Sequence, residues 1–381
     1  MKMLFVAGPT PSNAFALAPL ATAARDEGHQ VFMSTVKERT SAVTGIGLPA
    51  IAGTISPIAD IKGTRRSGER EIVPEDVDHP EFIRYTGRWF GRVAAESLVQ
   101  LREVAAGWRP DIVIGGPHAY AAALLAHELS VPWVRHTWAA LDTVGIHVSS
   151  EEELEPELRQ LGLDRIPQHD LMIDNCPPGV RWAGAAPAQQ IRWVPINSQS
   201  TVEPWMYTRG ERRRVCVTGG SMAARDNNFE LIRGMVDSLA VLDAEIVIPA
   251  PEEVAAELRA QFDDIRAGWI PLDVLMPTCD LIVHHAGGLT GQTAMISGVP
   301  QLLLPQEKKV RRAAQLVADY GAAINLLPDE VTPDSIAKGL QELLEDSAYV
   351  EKSQALGREI AAMPSPSEVV GVLEDLATCS P

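Results

Sequence analysis

The segment Asp280-Leu281-Ile282-Val283-His284-His285-Ala286-Gly287-Gly288-Leu289-Thr290 decides how this chain is read. Its run Leu281-Ile282-Val283 is apolar at successive positions, as a strand buried on both faces of a parallel sheet requires. Small residues then make a turn, and helical spacing follows over 290–297. A strand that passes through such a turn into a helix leaves the first helical amides, those of Gly288, Leu289 and Thr290, without partners inside the helix. With the helix dipole behind them, these N–H groups form an anion site.

The same alternation extends outward from this segment. Strands are expected over 215–218, 245–249 and 301–304, each followed by helical spacing. In the first half, a strand over 3–8, a helix over 15–27 and a strand over 30–35 make a βαβ unit. A helix over 81–108 and strands over 110–115 and 131–136, flanking a helix over 121–129, continue it. The periodicity breaks between 149 and 207, where prolines, Glu151-Glu152-Glu153 and Trp182, Trp193 and Trp205 suit a connection laid over a surface. The expected architecture is α/β, two Rossmann-like parallel-sheet domains over residues 1–204 and 205–381. Three helices in succession at the end, over 333–345, 350–362 and 367–377, imply that one crosses back onto the first domain. The polar, glycine-rich stretch 45–80 is a candidate substrate-facing loop, with plain surface slack as the other reading.

Composition agrees with this reading and removes other classes. At about 150 residues per domain, 381 residues make two domains, and 46% hydrophobic content supplies both cores. The formal charge of −17 repels phosphate backbones and anionic lipid, so neither nucleic acid nor a membrane is an expected partner. Cys176, Cys216, Cys279 and Cys379 form no CxxC pair, and the N-terminal apolar run is too short for an export signal, so a cytoplasmic location is expected. The first loop, Gly8-Pro9-Thr10-Pro11-Ser12-Asn13, lacks the G-x-G-x-x-G spacing, and no Walker-type G-x-x-x-x-G-K-[ST] run occurs. Nicotinamide oxidoreductases, kinases and ATPases are thereby disfavoured.

Ligands of open α/β sheets bind where loops leave the carboxyl ends of the strands. There His285 is placed to donate a hydrogen bond to a diphosphate and ease its departure, though a histidine in such a turn is also a common packing or capping residue.

The segment 284–290, with Gly298-Val299-Pro300-Gln301 and Pro305-Gln306 after it and Gly268-Trp269-Ile270-Pro271 before it, resembles the donor-site signature of family 1 glycosyltransferases with the GT-B fold. Ala18-Pro19-Leu20-Ala21 and Gly28-His29-Gln30-Val31 follow the family's opening helix and second strand. The likeness covers essentially the whole chain and looks nearest to actinomycete antibiotic enzymes, especially angucycline olivosyltransferases. It implies that the two domains face across a cleft. It also implies that Trp269 stacks on the nucleotide base, the backbone of Ile270 bonds the base edge, and His285 with Gly288, Leu289 and Thr290 holds the diphosphate. Ser221, in Thr218-Gly219-Gly220-Ser221, becomes a further phosphate contact.

The chain departs from that family in places. Many relatives carry a histidine base in the first loop, where Asn13 stands here, and an amide takes no proton at neutral pH. Asp142 is the preferred substitute and His136 the second, with His118 and His147 nearby; Asp142 reads equally well as a turn or capping residue. Ala139 replaces the acid expected after Thr137-Trp138 in some relatives, which favours O- over C-glycosylation. Lys309 and Val310 replace the usual Asp-Gln pair that reads sugar hydroxyls, which suits a 2,6-dideoxyhexose. Asp76-Val77-Asp78 fits the D-x-D pattern of metal-dependent enzymes but lies far from the amides, so no metal is expected. Phe82, Phe90, Tyr120 and Trp138 are candidates for an apolar acceptor slot, each also readable as core.

The expected activity is an inverting, metal-independent transfer of a 2,6-dideoxysugar, D-olivose, from a dTDP-sugar to a phenolic oxygen of an aromatic polyketide. C-glycosylation, a nucleotide-sugar epimerase and a small-molecule binding protein are the alternatives. The dTDP-sugar is a co-substrate and no separate cofactor is expected; a homodimer is left open.

Overall fold

The computed structural model describes residues 1–138, 144–220, 232–236, 239 and 243–379. Two sheets carry the chain, and every strand pair in them is parallel. The first holds β1 (Lys2–Val6), β2 (Gln30–Thr35), β3 (Ala50–Ala52), β4 (Ile112–Gly115), β5 (Trp133–Thr137), β6 (Leu171–Asp174) and β7 (Gln189–Gln190). Their spatial order is β3-β2-β1-β4-β5-β6-β7. The second holds β8 (Arg213–Thr218), β9 (Ala244–Pro249), β10 (Ile265–Gly268), β11 (Leu281–His284), β12 (Gln301–Leu303) and β13 (Ala323–Asn325), ordered β10-β9-β8-β11-β12-β13.

Strand alternation sorts each core into two faces. Met3 and Phe5 of β1 pack with Leu17, Ala18 and Ala21 of the helix Pro11–Asp26, while Leu4 and Val6 pack with Leu98, Leu101 and Leu124 on the other side. In both sheets the strand order reverses beside the first strand, between β1 and β4 and between β8 and β11. Ligand clefts open at such reversals, so the loops after Val6, Gly115, Thr218 and His284 are the ones that matter.

Two crossings fix the shape around them. Helix Pro80–Gly107 meets helix Val144–Glu153 so closely that a Cβ on Gly87 would lie 2.5 Å from Ser149 Cβ, and Ser150 Oγ donates to Gly87 O at 2.9 Å. The last helix, Pro366–Cys379, buries Val369, Val370 and Leu373 in the core beneath β1, and His29 Nε2 lies 3.0 Å from Glu374 Oε1.

The stretch 45–80, expected as loop, contributes β3 and a short helix, Ile58–Gly63. The strands β6, β7 and β13 were also absent from the expectation. All are short, and β3, β7 and β13 lie at or beside sheet edges with half-exposed residues. An edge strand of this kind has no continuous apolar run to betray it.

Candidate active site

β11 ends at His284, and Ala286 then takes φ +60°, the left-handed region that costs a non-glycine residue about 1–2 kcal/mol. This turn points the chain into helix Gly288–Ile296 through Gly287, and no side chain caps that helix. Its first backbone bond runs from Gly291 N to Gly287 O at 2.9 Å, so the amides of Gly288, Leu289 and Thr290 point outward without intrahelical acceptors.

His285, just before this helix start, is held between two glycines. A Cβ on Gly220, whose φ is +81°, or on Gly287 would approach its ring to 2.6 Å. Its Nδ1 has no hydrogen-bond partner among the described residues. Burial pulls its pKa down, with Glu307 and the Thr218 backbone opposing, so it is a neutral imidazole at neutral pH. His284, one residue earlier, points to the other face of the strand. It is fully enclosed, 2.9 Å from Gln301 Oε1, and held neutral with a pKa of about 3.

A cleft of about 720 Å³ faces the amides and is lined from the second domain by Gly220, Trp269, Ile270, Leu289 and Thr290, and from the first by Ser12 and Phe15. Trp269 is 40% exposed, and its indole N–H donates to Ser198 O at 2.9 Å, which fixes the ring. Ile270 buries its side chain with Leu275 and Met276 and leaves its backbone as the available contact. The sequence readings that converged here are therefore Trp269, Ile270, Leu289 and Thr290, with His285 adjoining through its contact with Gly220; Gly288 lines a separate cavity of about 480 Å³ with Ala286, Gln292 and Gln301. Ser221 and Asp142 lie outside the described residues.

Two buried cross-links that sequence reasoning missed anchor the same helix. Gln292 Nε2 donates to Asn175 Oδ1 and Trp193 Nε1 to Thr293 Oγ1, both at 3.3 Å. Neither partner shows a periodic or motif signal, since each bond joins residues 100 or more positions apart.

On the first-domain side, a cavity of about 920 Å³ is lined by Phe82, Ile83, Thr86, Ile146 and, from the second domain, Glu307 and Lys309. Phe90 belongs instead to a row of rings: it stacks on Trp89 at 3.9 Å and lies 4.5 Å from His118, which leads to Tyr120 and His147 at 6.1 and 5.6 Å. Tyr120 is 3% exposed, with its hydroxyl pushed up to about 12 by burial. Trp138 is buried over Gly116, 6.4 Å from His136. His136 lines neither cavity, and burial holds its pKa at about 4, which makes it a weak proton acceptor. Asn13 Oδ1 accepts from Thr10 N at 3.0 Å and Thr10 Oγ at 2.6 Å, a role at the start of the first helix.

His118, His136 and His284 are held neutral by burial, with pKa values lowered to about 3, about 4 and about 3. The unfolded chain binds protons on these imidazoles below about pH 6.5 and the folded chain does not, so stability is lost as pH falls through that value. Urea unfolding is expected to lose about 1 kcal/mol or more per pH unit between pH 6 and 5, above the carboxylate range. A flat profile there would mean that these rings are charged in the folded protein.

Of the D-x-D pair, Asp78 serves the domain interface. Asp78 Oδ1 accepts from Lys308 N at 2.8 Å and Oδ2 from Arg311 Nη2 at 2.7 Å, while Asp76 Oδ1 accepts from Asp78 N within its own turn. Among the described residues no group of His, Cys, Asp or Glu is placed to hold a metal. Asp78→Ala is expected to speed proteolytic cleavage within 64–79 several-fold, since hydrogen bonds to charged groups contribute about 1.5–3 kcal/mol each; an unchanged cleavage rate would deny the clasp.

No helix among the described residues is long and apolar enough to cross a membrane. Solved structures with this arrangement include the glycosyltransferase SsfS6 of Streptomyces sp. SF2575 complexed with thymidine diphosphate. Its TM-score is 0.84 at 28% identity, covering 98% of this chain and 99% of that one. The L-demethylnoviosyl transferase of Streptomyces niveus is 30% identical over 97% of this chain and 96% of its own length. The 3-alpha-mycarosylerythronolide B desosaminyl transferase of Saccharopolyspora erythraea is 28% identical over 99% and 98%. Residues 22–220 and 233–376 match the N- and C-terminal domains of the family described as erythromycin biosynthesis protein CIII-like. With the GT-B architecture of two parallel-sheet domains, the chain belongs to this family of antibiotic-biosynthesis glycosyltransferases.

Proposed function

We propose that the protein is an inverting glycosyltransferase that takes a 2,6-dideoxysugar, D-olivose, from a dTDP-sugar to a phenolic oxygen of an angucycline-type polyketide. The observation that carries the donor side is the outward-facing amide turn of Gly288, Leu289 and Thr290 beside the unpartnered Nδ1 of His285. Negative charge grows on the diphosphate as its bond to the sugar breaks, and donors fixed in a dry cleft stabilise that charge without reorganising. Trp269, with its ring fixed at the mouth, supplies a stacking face for thymine. The thymidine diphosphate bound by SsfS6 supports the choice of nucleotide. The dideoxysugar is supported by Lys309 and Val310, which present no acid–amide pair to read hydroxyls. Transfer to oxygen is favoured by Ala139 where an acid would promote attack from carbon. The angucycline acceptor rests on the resemblance in sequence; the desosaminyl transferase above is named for a different acceptor, 3-alpha-mycarosylerythronolide B. A cytoplasmic site of action and Asp142 as base belong to the same proposal; His136, which lines neither cavity and is a weak proton acceptor, is set aside.

The product formed from dTDP-D-olivose and an angucycline aglycone, analysed by mass spectrometry and NMR, tests the reading. A β-linked aryl O-glycoside is expected from inversion at an α-linked donor; a C-glycoside or no product would contradict it. Trp269→Ala is expected to weaken dTDP binding by about 1–3 kcal/mol, the range for stacking on a base, and calorimetry measures it directly. Unchanged affinity would remove Trp269 from the site.

A further inference from the structure

Helix Gly288–Ile296 carries the diphosphate amides at its start, yet little in its own sequence fixes it there. It is nine residues long, contains Gly288 and Gly291 with the β-branched Thr290, Thr293 and Ile296, and has no side-chain cap. Glycine and β-branched residues are weak helix formers, so a helix this short takes its position from what it packs against. Three consecutive residues, just past the amides, each meet a buried hydrogen-bonded pair. Gly291 lies against the His284–Gln301 pair of β11 and β12, where an added Cβ would stand 3.6 Å from Gln301 Oε1 and 3.7 Å from His284 Cε1. Gln292 Nε2 donates to Asn175 Oδ1, and Thr293 Oγ1 accepts from Trp193 Nε1, both at 3.3 Å. All six side chains in these pairs are at most 3% exposed.

Two of the three pairs cross from one sheet to the other. Asn175 directly follows β6 and Trp193 lies just beyond β7, so both stand past the carboxyl ends of neighbouring strands of the first sheet. Asp174, the last residue of β6, shapes the loop that holds Asn175: its Oδ1 accepts from Cys176 N at 3.0 Å and its Oδ2 from Arg181 Nε at 3.1 Å. Adjacent helical positions face different ways, so the helix is gripped on two flanks. Thr293 lines the nucleotide cleft, whereas Gln292 lines the separate cavity with His284 and Gln301. A buried amide deprived of its partner is costly, so each pair favours one arrangement of the backbones it joins. That matters at the helix start, because donors serve a ligand only when held within about 0.5 Å of the productive geometry.

We propose that Asn175 and Trp193 are positioning residues for the donor: by holding Gln292 and Thr293 they fix the helix whose Gly288, Leu289 and Thr290 amides grip the diphosphate. The inference rests on the donor-site reading of that helix. It gives the first domain a share in nucleotide binding through two residues that line no part of the nucleotide cleft.

The test is calorimetric binding of dTDP by the full chain. Asn175→Ala and Gln292→Met break one bond from its two ends, and each is expected to weaken dTDP binding about three- to tenfold, the range of one well-placed hydrogen bond. The double variant should lose no more than either single one, because all three remove the same contact. Trp193→Phe keeps the ring and loses only the N–H, so it preserves the packing and reports even where an alanine variant does not fold; a similar loss of affinity is expected. Amide hydrogen exchange should quicken across 288–296 in these variants and stay unchanged in helix Lys308–Tyr320. A purely structural role would lower the melting temperature and leave dTDP affinity of the folded protein as in wild type. Wild-type affinity in Trp193→Phe and in the folded Asn175 and Gln292 variants therefore overturns the inference and leaves the donor reading intact. Single losses that multiply in the double variant would overturn the pairing of Asn175 with Gln292. Wild-type protein that does not bind dTDP removes the donor reading, and the inference with it.

Discussion

His285→Ala is expected to lower kcat/KM for sugar transfer at least tenfold, and nearer a hundredfold if its hydrogen bond tightens in the transition state as oxyanion donors do. The ring sits between Gly220 and Gly287 with Nδ1 unpartnered and neutral, beside the open amides of the donor helix. Removing it leaves a gap at the leaving group and little loss of core, because the flanking residues are glycines and the enclosed histidine of the pair is His284. The melting temperature should therefore move by only a few degrees. His285→Gln, which keeps a donor of similar reach, should recover part of the loss. Near wild-type turnover in the alanine variant would exclude the leaving-group role.

Gly87→Ala is expected to destabilise the first domain by about 1–3 kcal/mol, the usual range for overpacking a close contact. An added methyl would lie 2.5 Å from Ser149 Cβ and 2.6 Å from Ile146 O, and the second of these is backbone that cannot turn aside. The helix Val144–Glu153 must move outward, and with it Ile146 and Thr86, which line the larger cavity. Acceptor KM should rise several-fold while dTDP affinity is unchanged. Thermal melting and calorimetry together check this; a stable variant with normal acceptor KM would mean that the helices do not set the cavity wall.

The donor half was legible because its chemistry is carried by neighbours in sequence. A buried strand, a turn of small residues and a helix start occur within 280–297, and backbone amides need no distant partner to form an anion site. Trp269 was legible for the same reason, as it follows directly on a strand, β10. The acceptor half was harder because its side chains come from several elements. Phe82 and Thr86 from one helix, Ile146 from another and Lys309 from the second domain line one cavity only once the two domains are placed. Asp78 shows the limit plainly: its spacing from Asp76 matched a metal motif, and its partners proved to be Lys308 and Arg311, 230 residues or more away. His284 and His285 are told apart by the strand end: His284 is the last residue of β11 and is enclosed beside Gln301, while His285 lies beyond it in the turn between Gly220 and Gly287.

A crystal structure of the full chain soaked with dTDP tests the central claim most directly. The account predicts the diphosphate within hydrogen-bond distance of the Gly288, Leu289 and Thr290 amides and of His285 Nδ1, with thymine against Trp269. A nucleotide bound in any other cleft, or with its diphosphate turned away from that helix start, would contradict it.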